Sequence, residues 1–196
     1  LGLLHQSKTG DGQRIVVNML QTQAICLSYH STRWTMAKET AEKRGNSHAG
    51  LVPYDLYQCQ DGWICIAVGT DKMWTRLVQA LKLPENPTWN KNQQRLVHRH
   101  QIDQYIQDAV ASKTVGETHA LLQRHDIPVG PVARPEQTLQ HPAVQTVQVN
   151  HPELGEIEMP GSPLITKTTR QTHTPPPRLD QHRKEILAEL GIPLED

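Results

Sequence analysis

The segment Leu51 to Val68 holds Asp61-Gly62 between two runs rich in apolar and β-branched residues, and this pair limits the possible folds more than any other feature. Asp-Gly is among the strongest short signals for a two-residue hairpin, because its turn needs φ > 0 at both central positions. The expected ladder sets Cys59 opposite Ile64 and Cys65 opposite Gln58, so the two thiols point to opposite faces and form no disulfide. Immediately afterwards Trp74, Leu77, Val78 and Leu81 recur at i, i+3, i+4 and i+7, with Thr70 or Asp71 available as the cap. A loop with Pro84, Asn86 and Pro87 follows, then an amphipathic helix marked by Ile102, Tyr105, Ile106, Ala109 and Val110. Thr114-Val115-Gly116-Glu117 is a capping box, opening a helix with Ala120, Leu121 and Leu122 that stops before Pro128. The pattern predicts a helix-and-hairpin unit between about residues 48 and 135.

The flanks read differently. Leu1 to His5 looks like the end of an apolar helix, and Arg14 to Val17 like a short strand. Asn18 can cap a helix from Met19 to about Trp34, with Leu20, Ala24 and Leu27 on one side. Thr35 to Ser47 is polar and ends in Gly45-Asn46-Ser47, as a linker would. Beyond Pro131 the chain is irregular, with a strand expected at Glu156 to Met159 and Leu164 to Thr169 able to pair with it. Pro175-Pro176-Pro177 predicts an extended segment, and Asp180 a cap for a last helix closed by Gly191.

Composition removes several function classes. Twenty Lys plus Arg balance twenty Asp plus Glu, so the basic excess of a nucleic-acid binder working by counterion release is missing. In the middle of the chain the longest apolar stretch is Trp63 to Val68, against the ~20 residues a spanning helix needs. No basic region leads into a long apolar one, so no signal peptide is expected, and with Met19 the first Met, Leu1 is expected to lie inside a longer protein. Three cysteines, none in a Cys-x-x-Cys pair, read as buried thiols in a reducing compartment.

Chemistry is sparse by spacing alone. The eleven His include His98 and His100, two apart and on different helix faces, with no His-plus-carboxylate cluster at ligand spacing; no metal site is expected. Thr9-Gly10-Asp11-Gly12-Gln13 lacks the Lys-Ser/Thr of a phosphate loop and precedes a strand, so it reads as a tight turn. There is no Gly-x-Ser-x-Gly elbow. One segment stands out: Arg44-Gly45-Asn46-Ser47-His48-Ala49-Gly50-Leu51-Val52-Pro53-Tyr54 joins the linker to the hairpin with small residues and hydrogen-bonding groups. It has two readings, a loop bringing backbone amides close to a ligand and a plain interdomain turn.

Motif order carries a resemblance. Lys8-Thr9-Gly10-Asp11-Gly12-Gln13 before a β-branched strand, then Gly45-Asn46-Ser47-His48 to Pro53-Tyr54, Asp61-Gly62-Trp63-Ile64 and Ala67 to Trp74, resemble the family III CoA-transferases. Asn86-Pro87 with Asn92 and Arg95, Ile127 to Val132, His141-Pro142, His151-Pro152, Gly155, Pro163 and Pro177 to His182 with Ile186-Leu187 continue the likeness. That family includes formyl-CoA transferase, carnitine CoA-transferase and α-methylacyl-CoA racemase.

The resemblance implies an α/β fold: the end of a Rossmann-like large domain plus a smaller α/β domain, in chains that interlock as a homodimer. Residues 1–47 would end the large domain's first part and form the linker, 48–135 the small domain, and 136–196 the return to the large one. It implies an aspartate that accepts the acyl group from a CoA thioester, located upstream of the Thr-Gly-x-Gly-Gln motif. Only Leu1 to Ser7 precede that motif here, so this chain resembles the C-terminal half and no catalytic residue is assigned within it. The acyl-CoA-binding residues implied are Asn46, Ser47, His48, Ala49, Gly50 and Leu51, with the Ala49 and Gly50 amides as donors to a developing oxyanion. His48-Ala49-Gly50-Leu51 replaces the glycine run of formyl-CoA transferase, which argues against oxalate or formyl specificity. Gln58 stands where the racemases carry a proton-transferring Glu, and an amide cannot do that work. The expectation is a cytoplasmic enzyme moving CoA between small carboxylic acids such as succinate, with the CoA thioester as substrate and no permanently bound cofactor, metal, nucleic acid or membrane. Its rivals are a 2-methylacyl-CoA isomerase and a non-catalytic binding or assembly subunit.

Overall fold

Strands Tyr54–Gln58 (β1) and Trp63–Ala67 (β2) form the expected antiparallel hairpin in the computed structural model, which describes residues 1–165 and 173–193. The register differs from the expected one. Gln58 pairs with Trp63, Tyr57 with Ile64 and Leu56 with Cys65. The turn is centred on Gln60 and Asp61, closed by the Cys59 N–H donating to the Gly62 carbonyl at 2.8 Å. Neither Asp61 nor Gly62 takes the positive φ that an Asp-Gly turn of type I′ requires.

The cause is tertiary. The Gln60 N–H donates to the Lys113 carbonyl at 2.9 Å, and Asp61 Oδ1 accepts from the Val115 N–H at 2.7 Å. These bonds dock the turn on the start of helix Val115–Arg124, and Gly62 permits the approach: a Cβ there would stand 3.3 Å from Val115 Cγ2. The shift is by two residues, so each side chain keeps its face. Of the three thiols expected to be buried only Cys59 is, beside Tyr57 and Ile64; Cys65 lies half-buried on the other face, Cys26 is exposed, and all three are free.

The inner face of the hairpin is covered by helices. These are Asp71–Leu81 (α4), Asn92–Val97 (α5), Arg99–Val110 (α6) and Val115–Arg124 (α7), numbered after three helices nearer the start of the chain. Thr70 Oγ1 accepts the Met73 N–H at 3.2 Å and starts α4, while Thr114 and Glu117 form the expected capping box of α7. Hydrogen bonds from Thr114, first its backbone amide, hold the Glu117 carboxyl below its ordinary range. Tyr57, Ile64 and Ile66 pack with Trp74, Leu77, Ile102, Ile106, Val110 and Leu122 in one core. A strand that the sequence pattern left unassigned, Val129–Pro131 (β3), pairs with β2 and completes a sheet of order β1-β2-β3. On the outer border of β1 the Gln107 side chain donates to the Gln58 carbonyl at 2.8 Å and accepts from its N–H at 2.9 Å.

The flanks hold helices Gly2–Thr9 (α1), Met19–Cys26 (α2) and Tyr29–Ala37 (α3), and none of the three buries a residue. Asn18 caps α2 as expected, accepting from the Gln21 N–H at 3.1 Å. The helix expected to reach Trp34 is broken in two, with Ser28 at φ 52°. Ser31 Oγ donates to the Ala24 carbonyl at 2.9 Å, taking the acceptor that the Ser28 N–H would use in a continuous helix. Arg14 to Val17 forms no strand, because no described strand lies beside it to complete a ladder. Beyond β3 come helix Pro135–Leu139 (α8), the hairpin Thr146–His151 (β4) with Gly155–Pro160 (β5), and helix Arg183–Glu189 (α9). The expected strand around Glu156 to Met159 is β5; its partner β4 was not foreseen. Leu164 and Ile165 belong to no strand, and the rest of the segment expected to pair there lies outside the described residues. Asp180 does not cap α9: it has φ 64° and the helix starts three residues later, after His182. Gly191, at φ 66°, ends it in the expected left-handed conformation.

Candidate functional site

Residues 45–52 cross the end of the sheet against α5 and α6, and side chains from those helices hold the loop by its carbonyls. Arg99 Nη2 donates to the His48 carbonyl at 2.6 Å and to the Leu51 carbonyl at 3.1 Å. Asn92 is bidentate, its Nδ2 donating to the Gly50 carbonyl at 2.8 Å and its Oδ1 accepting the Val52 N–H at 3.1 Å. Arg95, fully buried, donates from Nε to the Val52 carbonyl at 2.7 Å and from Nη1 to the Trp89 carbonyl at 2.9 Å. Its guanidinium lies 5.2 Å from the Trp74 ring centroid.

Asp71 anchors this arrangement. Its Oδ1 accepts from Arg95 Nη2 at 3.1 Å and from the Asn92 N–H at 3.0 Å, and Lys91 approaches its other oxygen at 3.4 Å. Burial pushes the Asp71 carboxyl upward, but hydrogen bonds from Arg95 and Lys91 outweigh it and hold the group below its ordinary range. Behind the loop, the Tyr57 hydroxyl donates to Asp103 Oδ1 at 2.6 Å. Burial, then the nearby Asp103 charge, drives the phenol far above its usual range, and burial also raises Asp103.

The six residues singled out in sequence lie together but differ in their bonding. Asn46 is exposed, and the Ser47 hydroxyl donates to Asp55 Oδ2. The His48 N–H donates to the Tyr54 carbonyl at 3.0 Å, and its ring stacks on Tyr54 at 5.1 Å between centroids, with Tyr29 at 5.4 Å on another side. The Gly50 N–H, expected to be free, is occupied: it donates to His48 Nδ1 at 3.0 Å. Residues 48–51 form a turn that directs the Leu51 N–H towards the His48 carbonyl, while the amides of Gly45, Asn46 and Ala49 have no hydrogen-bond partner among the described residues. No group of three His, Cys, Asp or Glu placed to hold a metal ion occurs among the described residues.

Sequence reasoning did not single out Arg99, and it treated Asn92 and Arg95 only as marks of resemblance. A readable signal existed. Positions 92, 95, 99, 102 and 106 follow 3–4 spacing, the spacing of one helical face, and its first three members are polar while Ile102 and Ile106 are buried. A buried stripe that begins with an amide and two guanidiniums has backbone or carboxylate to satisfy.

A family-wide sequence description, CoA-transferase family III, matches residues 1–183. The chain belongs to CoA-transferase family III. Human succinyl-CoA:glutarate CoA-transferase is 27% identical over 197 residues, an alignment covering 96% of this chain and 45% of that one. An acyl-CoA transferase of Fusarium pseudograminearum is 29% identical over 204 residues, covering 98% of this chain and 44% of its own. The crystal structure of a CAIB/BAIF family protein from Brucella suis superposes with a TM-score of 0.74 at 20% identity, over 96% of this chain and 50% of that one. This family III chain is therefore a mixed α/β structure that spans about half the length of the relatives it matches. No described helix is long and apolar enough to cross a membrane.

Proposed function

We propose that this chain supplies the small-domain portion and the acyl-covering loop of a CoA-transferase that moves CoA between small carboxylic acids. The carrying observation is the family match over residues 1–183, together with relatives named for exchange of CoA between succinate and glutarate. In this reading an aspartate outside these 196 residues attacks the incoming thioester, giving a mixed anhydride and CoA thiolate. The thiolate attacks the aspartyl carbonyl and frees the donor carboxylate. The acceptor carboxylate then displaces the thiolate to form a second anhydride, whose acyl carbonyl the thiolate takes as the new thioester, restoring the aspartate. Splitting the transfer into exchanges of similar energy is what a covalent carboxylate nucleophile provides. Residues 46–51 would cover the reacting acyl group and exclude water from an intermediate that hydrolyses readily. Their carbonyls, anchored by Asn92 and Arg99, support that role. His48 would act by packing, since its Nδ1 is engaged with Gly50 and the transfer needs no histidine base. The division at 47/48 and 135/136, a homodimer and a reducing, cytoplasmic setting belong to the same proposal; the three free thiols agree with the last.

Two measurements test it. Purified residues 1–196, assayed with succinyl-CoA and a panel of carboxylates, should show no turnover; turnover above background would overturn the placement of the nucleophile outside the chain. Sequencing the DNA upstream of the Leu1 codon should find an in-frame extension holding a Gly-rich segment and an aspartate. A start codon there and nothing more would favour a non-catalytic subunit instead.

A further inference from the structure

Three aromatic rings meet at His48. Its imidazole lies nearly parallel to the Tyr54 ring, with 12° between planes and 5.1 Å between centroids, and Tyr29 of α3 approaches at 5.4 Å. Nδ1 accepts the Gly50 N–H at 3.0 Å. A neutral imidazole carries one proton, and the nitrogen that accepts a hydrogen bond is the one without it. The proton of neutral His48 is therefore on Nε2. That nitrogen has no hydrogen-bond partner among the described residues and is open to solvent, as is the Tyr54 hydroxyl. Packing thus leaves one polar atom of the ring unused, and the Gly50 bond and the two tyrosines fix it before any ligand arrives. This separates His48 from two histidines with the same local bond. His141 Nδ1 accepts the Ala143 N–H at 3.1 Å, and His151 Nδ1 accepts the Glu153 and Leu154 amides at 3.2 Å. Neither of those rings packs on another aromatic ring among the described residues.

We infer that His48 is a specificity-determining residue, its Nε2–H a fixed donor for the far carboxylate of a short dicarboxylic acyl group. The inference deepens the proposed function and rests on it for the ligand; the tautomer follows from the bonds above. A carboxylate gains most from an N–H held in place, because an ionised acceptor roughly doubles the strength of the bond. The Arg99 guanidinium, bonded to the carbonyl of the same residue at 2.6 Å, adds positive charge beside the loop. The opposing charge of Asp55 is engaged by the Ser47 hydroxyl and the Leu56 N–H. The far carboxylate is what separates a dicarboxylic acid from the corresponding monocarboxylic one. A donor there acts on the choice of substrate and takes no part in making or breaking bonds.

The test is an NMR titration of nitrogen-15-labelled residues 1–196 with glutarate and, separately, with butyrate, which is glutarate with one carboxylate replaced by hydrogen. Sodium chloride holds the ionic strength. In the wild type the His48 ring should report the Nε2–H tautomer, and glutarate should shift its Nε2 resonance. Glutarate should bind about tenfold more tightly than butyrate, the difference expected of one hydrogen bond to a charged group. The His141 and His151 rings are internal controls and should not move. His48→Asn keeps an acceptor for the Gly50 N–H and His48→Phe keeps a ring to stack on Tyr54; neither has the donor. Followed through the loop amides, both variants should bind glutarate no better than butyrate, whereas a role confined to packing would let the two differ. Unchanged Tyr57 and Ile64 amide shifts report an intact hairpin, and if one variant does not fold, the other and the wild type decide. A proton on Nδ1, a His48 ring that ignores glutarate, or the wild-type preference retained in a folded variant overturns the inference. If His48 selects glutarate but a protein completed by the upstream aspartate transfers no CoA from succinyl-CoA, the functional reading fails and the donor stands.

Discussion

From Val52 to Ile127 apolar side chains from one sheet and four helices share a core, whereas from Leu1 to Ala37 three helices bury nothing. The sequences are not so different in kind. Leu3 and Leu4 in α1 and Leu20 and Ile25 in α2 are as apolar as Leu77 or Ile106, yet all four are exposed. What differs is the partner. α4 and α6 cover the inner face of a hairpin, while α1 and α2 have no described surface to cover and α3 meets the loop through Tyr29 beside His48. Isolated helices shorter than ~12–15 residues are marginal in water, so α2, with eight residues, keeps its shape only through its cap and local bonds. An apolar stripe thus shows that a helix has a face to bury, and only the rest of the structure decides whether it is buried.

The contrast can be broken by mutation. Ile106→Ala, inside the core, should cost about 2–5 kcal/mol in urea unfolding, whereas Leu20→Ala in α2 should stay within about 0.5 kcal/mol. Equal costs at the two positions would dissolve the distinction. Arg95→Met should cost about 1–3 kcal/mol, because the Val52 and Trp89 carbonyls lose their donor. A neutral result would mean that the loop is anchored by Asn92 and Arg99 alone.

Acid provides a finer probe. The Asp71 carboxyl is held below its ordinary range in the folded chain, so its contribution is present above the unfolded value of about 3.9 and is lost as pH falls through the folded value. Asp71→Asn should therefore lower the melting temperature at neutral pH, and the deficit should shrink as pH falls below the ordinary carboxylate range. The side chain is 39% exposed, so solvent screening keeps the effect under about 1 kcal/mol. A deficit that is the same at both pH values would separate Asp71 from the titration. The smallest effect is expected at Gly50. An added Cβ would meet nothing closer than His48 Cε1 at 3.8 Å and the residue needs no positive φ, so Gly50→Ala should change stability by less than about 0.5 kcal/mol. A larger loss would show that the loop packs more tightly than its contacts indicate.

Much of the core was legible because its signals are local. Thr70, Thr114 with Glu117, and the 3–4 spacing of Trp74, Leu77, Val78 and Leu81 need only neighbouring residues to be read. The hairpin register was not, for a physical reason. Side chains alternate with period two, so a ladder moved by two residues leaves every residue on the same face and an apolar pattern cannot tell the alternatives apart. Here the Lys113-to-Val115 segment chooses, by bonding Gln60 and Asp61 from more than fifty residues away. Strand β3 escaped notice because three residues containing a Gly and a Pro carry no strand pattern of their own. The loop's position between linker and hairpin was readable, but how its carbonyls are anchored was not. That depends on Asn92 and Arg99, whose partners are backbone groups some forty to fifty residues earlier.

The Gln107 contact has a further consequence for how the sheet meets other chains. A border strand with unclaimed N–H and carbonyl groups invites another strand to align beside it. Along β1 much of that invitation has been withdrawn: the Tyr54 carbonyl accepts from His48, the Leu56 N–H donates to Asp55 Oδ1, and Gln107 occupies both groups of Gln58. At the opposite border β3 is only three residues long and ends in Pro131, which has no N–H to offer. The sheet is thus finished at both sides, and a neighbouring chain gains little by extending it strand by strand.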